Sequence, residues 1–256
     1  MGEITPGDPS IWQPTWAKQI PEQQWAVYLR AIEALRSTRL PFMLGGGFAL
    51  GAYVDRWRNT KDIDFYILPQ TQELMAEALT KAGFADYYEQ LPYDRGWIYR
   101  STRDGVIVDL IWSMANRRAQ VDTTWFEHAQ TVALREETLR LIPAEELLWC
   151  KLYVFQRDHC DWPDVLNLLH AVGPSLDWPR LLGRMDSDLH LLKAALTLFD
   201  WISPNRSAQL PAPIRRQLQL PNMLAITAEE EQRLVRLLDS RGWYVPMLAK
   251  GAPLEV

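Results

Sequence analysis

Two segments limit the fold more than any other part of the chain: 62–68, DIDFYIL, and 106–112, VIVDLIW, each with the composition of a buried β-strand and each carrying carboxylates. In a strand, side chains two apart share a face, so Asp62 and Asp64 project together while Ile63 and Phe65 point the other way. Asp109 is the only charged residue between Val106 and Trp112, and an unpaired charge in such a run is expensive. Neighbouring carboxylates repel, and one holds a proton unless a cation offsets them. Magnesium, or manganese in its place, suits the role because it takes a few carboxylate oxygens together with phosphate oxygens and water. If the 105–112 strand lies beside the 62–68 strand, Asp109 joins Asp62 and Asp64 in a site for metal ions that clamp the attacking and leaving oxygens of a phosphoryl transfer.

Upstream, FMLGGGFALG places three glycines at the end of an apolar strand at 41–44. Glycine triplets weaken helices and strands alike, so this one predicts a turn where the backbone passes close to something. Backbone N–H groups at a strand-to-helix glycine turn can cradle a triphosphate, helped by the positive end of the helix that follows. Gly46 and Gly47 are the candidates for that contact.

The remaining pattern divides the chain near residue 140. Residues 22–37 space Trp25, Leu29, Ile32 and Leu35 by three and four, which predicts an amphipathic helix. A second helix is expected at 71–82, and a hairpin at 96–112 turning on Asp104-Gly105. From about Pro143 helices dominate, at 144–156, 162–172, 189–202 and 228–240. Residues 203–222, with several prolines and little periodicity, read as an irregular connection. The expected class is α+β: a mixed sheet with flanking helices over residues 1–140, then a helical region over 141–256.

Composition removes several alternatives. No window approaches the eighteen or so apolar residues of a membrane span, and the N-terminus has no signal-peptide pattern, so a cytoplasmic chain is expected. Cys150 and Cys160 are too few for a disulfide framework and lack metal-ligand spacing. His128, His159, His170 and His190 are scattered, so neither a zinc site nor a Ser-His-Asp arrangement can be drawn. A net charge of −5 argues against a broad nucleic-acid-coating surface but leaves room for local basic patches, one at Arg56, Arg58 and Lys61. Most tryptophans read as core; Trp112, three residues after Asp109, is kept as a substrate contact. Lys151 is the only charge between Leu147 and Phe155, so it either extends along the apolar surface to water or meets an anion. Asp161 stands where the next helix begins and suits an N-cap, with Asp164 in the first turn.

At these residues the sequence resembles the nucleotidyltransferase superfamily related to DNA polymerase β, whose signature is a glycine pair, D-x-D on the next strand and a further acid. Its AbiEii-like branch, known for type IV abortive-infection toxins, has a GG-T-A-L pattern, a basic residue, then Ser or Thr, x, D-x-D. Gly46, Gly47, Ala49 and Leu50, then Arg58, Thr60, Asp62 and Asp64, match it, with Phe48 standing where the family has a small hydroxyl residue. The helical half is similar more loosely, with Lys151, Arg157, Asp161 and Asp164 at the family's positions. The resemblance implies a metal-dependent enzyme that moves a nucleotide from a nucleoside triphosphate onto an acceptor, with tRNA or protein favoured and a cognate antitoxin as a partner. It implies that Asp62, Asp64 and Asp109 hold Mg2+ or Mn2+, that Gly46, Gly47, Arg58, Thr60 and Arg157 bind the nucleotide, and that Lys151 faces phosphate. Two other readings stay open: the same chemistry on a small cationic acceptor such as an aminoglycoside, which Asp158, Asp161 and Asp164 permit, and a non-catalytic nucleotide-binding module.

Overall fold

The structure is a computed structural model, and it describes residues 11–156, 159–221, 224–238 and 244. It divides into two compact units, Met1–Leu147 and Leu148–Val256.

The first unit begins with a short 3₁₀ turn, Thr15–Gln19, and helix α1, Glu22–Ser37. Strand β1, Phe42–Leu44, runs into α2, Gly46–Val54, and β2, Asp62–Ile67, follows. Then come α3, Gln72–Lys81, β3, Ala85–Asp86, and the hairpin of β4, Ile98–Arg103, and β5, Val106–Ile111. A short helix α4, Thr123–Glu127, precedes a second hairpin, β6, Gln130–Leu134, with β7, Glu137–Leu141. The strands form one mixed sheet in the order β3-β4-β5-β2-β1-β7-β6. β2 pairs in parallel with β5 and antiparallel with β1, and β4 pairs antiparallel with β5.

The alternation expected of DIDFYI is present: Ile63, Phe65 and Ile67 are fully buried, as are Val108 and Leu110 opposite them, whereas Asp62 and Asp64 on the other face are half-buried. Each such fully buried aliphatic or aromatic side chain contributes about 1.5–3 kcal/mol of transfer free energy. α1 buries Trp25, Tyr28, Ile32 and Leu35 and packs with α3 and β5. The face that carries the aspartates is closed at one end, where Trp125 of α4 stacks on Tyr66 of β2.

In the second unit α5, Ala144–Leu152, crosses the boundary between the units, and α6, Trp162–Val172, α7, Trp178–Met185, and α8, Leu189–Ile202, follow. The connection expected to be irregular contains two short helices, α9, Pro204–Ser207, and α10, Ala212–Gln217, each entered through prolines that pre-set the first helical φ. They are too short for a 3.6-residue period to register. α11, Ala228–Arg236, opens with a capping box of Thr227 and Glu230. No helix among the described residues is long and apolar enough to cross a membrane.

Candidate active site

The glycine turn caps the carboxylate face of the sheet. Gly45 donates its N–H to the Asp64 carbonyl (2.9 Å), which ties the end of β1 to β2. Gly46 has φ +52°, and a Cβ there would fall inside the Asp64 carboxylate; a Cβ on Gly45 would strike the Tyr66 ring. Only glycine lets this turn lie so low on the sheet. Gly47 lies 3.8 Å, measured from where its Cβ would be, from Thr60. Thr60 in turn donates its hydroxyl to Asp62 Oδ1, and its carbonyl accepts from Gln24. Five of the sequence candidates, Gly46, Gly47, Thr60, Asp62 and Asp64, thus form one contiguous surface at the N-terminus of α2. Phe48, the residue that departs from the family pattern, turns away from it into the core, edge-on to Tyr28 and beside Trp57.

Asp109 sits directly beside Asp64 in the β2–β5 register, with Arg100 of β4 on its other side. Cross-strand partners share a face, so Asp62, Asp64, Asp109 and Arg100 all lie on the same face of the sheet. Asp109 is 1% exposed, and Arg100 grips it with two N–H groups: Nε to Oδ1 at 2.8 Å and Nη2 to Oδ2 at 2.6 Å. Burial pushes the Asp109 carboxyl up, and the Arg100 fork works against that push. Arg100 holds its proton more tightly than usual, chiefly through its hydrogen bonds to Asp109. The compensating cation inferred for the apolar run at 106–112 is therefore present in the chain itself. Among the described residues, no group of three or more His, Cys, Asp or Glu side chains is arranged to hold a metal ion. Asp62 and Asp64, half-exposed, on one face and two residues apart, do suit a hard cation with other ligands from a bound phosphate. The Tyr28 phenol, which donates towards the Thr60 and Asp62 carbonyls, is held well above its ordinary value, chiefly by burial and further by Asp62 and Asp64.

The other candidates have separate surroundings. Arg58 is exposed on the loop between α2 and β2. Arg157 and Asp158 lie outside the described residues. In the second unit Lys151 is buried and donates to Asp161 Oδ2 (2.9 Å) and Asp164 Oδ2 (2.7 Å). Burial opposes its charge, but the two carboxylates prevail and raise its pKa. Snorkelling is therefore not its arrangement. Asp161 occupies the N-cap position of α6 without capping it, because its oxygens serve Lys151 and His159. Trp112 is buried, with Nε1 donating to the Gly96 carbonyl, and is a core residue rather than an open contact.

Arg100 was not among the sequence candidates, although a signal for it existed. The Asp104-Gly105 turn pairs Arg103 with Val106, and counting three residues outward on each strand sets Arg100 against Asp109.

A sheet with a glycine turn folded over D-x-D is the scaffold of a nucleotide-handling enzyme, and residues 20–200 match the family described as uncharacterised nucleotidyltransferase. The chain belongs to that nucleotidyltransferase family. No curated protein matches it. Among solved structures it is similar to the antibiotic-resistance factor ANT(2'')-Ia, at 15% identity over 68% of this chain and 95% of that one, with a TM-score of 0.46. A nucleotidyltransferase-like antigenic protein from Paracoccidioides brasiliensis is similar at 18% identity, over 74% of this chain and 93% of that one, with a TM-score of 0.44. The lincosamide antibiotic adenylyltransferase LnuA is similar at 15% identity over 58% and 96% of the two chains, with a TM-score of 0.41.

Proposed function

We propose that the protein transfers a nucleoside monophosphate from a nucleoside triphosphate to an RNA acceptor, with Asp62 and Asp64 holding a divalent metal. The observation that carries this reading is the seat of the glycine turn on Asp64, with Thr60 and Asp62 alongside. It brings backbone N–H donors, a hydroxyl and two carboxylates to one spot, the combination that a metal–triphosphate complex requires. Magnesium, when bound there, supplies charge neutralisation of the phosphates and polarises the reacting phosphoryl group. The chain's own part is positional. The first amides of α2 receive triphosphate oxygens, Gly46 and Gly47 keep side chains out of their path, and Thr60 fixes the Asp62 carboxylate through its hydroxyl. With those donors preorganised, charge that develops on the triphosphate as the acceptor attacks meets fixed dipoles.

An anionic acceptor is supported by a groove of about 720 Å3 whose lining includes Gln24, Arg30, Asn59, Lys61, Arg103 and Asp104. It does not lie over the carboxylates; it follows α1 and the β4–β5 turn at the end of the sheet where Asp62 begins β2. Three cations against one acid there favour a phosphate backbone over a cationic aminoglycoside.

The test incubates the protein with each α-labelled nucleoside triphosphate, magnesium and total RNA. Label in a nuclease-sensitive product is expected, and it should fall in Lys61→Glu. Label on an added aminoglycoside, with none on RNA, would reject the acceptor assignment. Magnesium should also raise the melting temperature, and Asp64→Asn should blunt that rise.

A further inference from the structure

We propose that Asp109 serves this site as the anchor of Arg100, and that Arg100 carries the phosphate-binding role by presenting the free edge of its guanidinium to the nucleotide. The inference rests on the reading of Asp62 and Asp64 as the metal-holding pair.

Arginine offers five N–H donors on a planar fork. Arg100 spends its inner edge on Asp109, with Nε at 2.8 Å from Oδ1 and 3.2 Å from Oδ2, and Nη2 at 2.6 Å from Oδ2. Among the described residues, Nη1 has no acceptor, which leaves both its protons and the second Nη2 proton available. The side chain is 34% exposed while its partner is 1% exposed, so the pair is anchored on one side and open on the other. The backbone of Arg100 is fixed as well: its N–H donates to the Tyr93 hydroxyl at 2.8 Å, and that hydroxyl donates to its carbonyl at 3.3 Å. A guanidinium held this way is preorganised for an anion and loses little side-chain freedom when it binds one.

Asp64, Asp109 and Arg100 are consecutive cross-strand neighbours on three adjacent strands, so Arg100 stands two strand spacings from Asp64, about 10 Å along the hydrogen-bonding direction. That separation puts the Arg100 guanidinium within a triphosphate's length of the Asp62 and Asp64 pair. Asp109, with both oxygens committed to Arg100, is a positioning residue in this arrangement.

The experiment uses the full-length protein and four variants: Asp64→Asn, Asp109→Asn, Arg100→Gln and the double variant Arg100→Gln/Asp109→Asn. The double variant removes both charges, so no buried carboxylate is left unpaired if Arg100→Gln alone fails to fold. Mn2+ binding without nucleotide is followed by the free-ion EPR signal, and inorganic triphosphate binding in magnesium by calorimetry. Asp109→Asn should keep Mn2+ affinity within about threefold yet weaken triphosphate about tenfold, a split that general loss of structure would not produce. Arg100→Gln and the double variant should keep or tighten Mn2+ binding and weaken triphosphate by about tenfold to a hundredfold, the cost of a lost charge-assisted bidentate contact. Asp109→Asn that loses Mn2+ as severely as Asp64→Asn overturns the proposal. So does an Arg100→Gln or double variant that binds triphosphate as tightly as the wild type, and so does a wild type that binds no triphosphate. An Asp64→Asn variant with wild-type Mn2+ affinity would instead strike the metal reading of the site, and the triphosphate measurements would still decide the role of Arg100.

Discussion

Gly46→Ala and Gly47→Ala are adjacent substitutions in the same turn, and the structure expects them to act in opposite directions. At Gly46 the backbone is left-handed, φ +52°, and the added methyl would occupy the Asp64 carboxylate. A non-glycine residue in that conformation costs about 1–2 kcal/mol before any clash is counted. For a chain of this length, each kcal/mol shifts the melting temperature by about 2–4 °C, so a fall of about 2–8 °C is expected. Relieving the clash either displaces the Asp64 carboxylate or lifts the turn off it, so metal-induced stabilisation should be lost along with turnover. At Gly47 the nearest atom to a new Cβ is a Thr60 methyl at 3.8 Å, ordinary contact, and no left-handed angle is needed. Alanine there should be neutral or stabilise α2 by up to about 1 kcal/mol, through lower backbone entropy in the unfolded chain. Thermal unfolding of both variants with and without Mn2+, alongside label transfer from nucleoside triphosphate, provides the assay. If Gly46→Ala melts with Gly47→Ala and responds to Mn2+ like the wild type, the turn does not clasp Asp64 as described and the argument for the site fails.

Two further expectations concern the second unit. Lys151→Met leaves Asp161 and Asp164 without their cation, so chemical denaturation should show a loss of about 3–5 kcal/mol, largely recovered when both acids are also changed to Asn; unchanged stability would mean that the pair contributes nothing. For His170, burial first and Arg206 second hold the pKa down to about 4 from 6.5, so the folded state binds fewer protons than the unfolded state and the stability is complete above about pH 6.5 and declines as pH falls towards 4. Solvent reaches part of the ring, so the decline attributable to it is about 1–2 kcal/mol, and His170→Gln should flatten the urea-denaturation profile across that window; a slope equal to wild type would remove His170 as its source.

How much of this was legible depended on the kind of signal. α1, α6 and α8 begin and end where their apolar spacing says, because a strong 3.6-residue repeat is local information. The β6–β7 hairpin passed unread because its turn, Arg135 and Glu136, has neither glycine nor asparagine even though Arg135 takes φ +54°. α7 was also unread: its start, Asp177 followed by Trp178-Pro179, carries a cap and an N1–N2 proline, but the helix spans only eight residues. In the site, the shared face of Asp62 and Asp64 follows from strand period alone. The partner of Asp109 depended on combining a turn position with a register, and the partners of Lys151 on tertiary packing across ten and thirteen residues of chain. A lone charge in an apolar run calls for compensation; local sequence does not say whether that compensation comes from solution or from the next strand.

Trp16 lies ahead of the first helix, outside the 20–200 stretch matched by the family. Its indole stacks on Trp57 at 5.0 Å between ring centroids, packs beside Phe48 and donates to the Gly51 carbonyl of α2. Gly51 is close to that contact for its own reason, since a Cβ there would press on the Arg56 carbonyl and the Trp16 ring. The helix whose first amides face the carboxylates is thus wedged from behind by a residue that a boundary drawn at position 20 would discard. Trp12, a few residues earlier, also bridges to Val132 at the sheet's β6 edge. Any dissection of this enzyme into a minimal catalytic fragment should therefore begin before residue 12, and a fragment starting at the family boundary is expected to keep every site residue while losing the support that holds the glycine turn against the sheet.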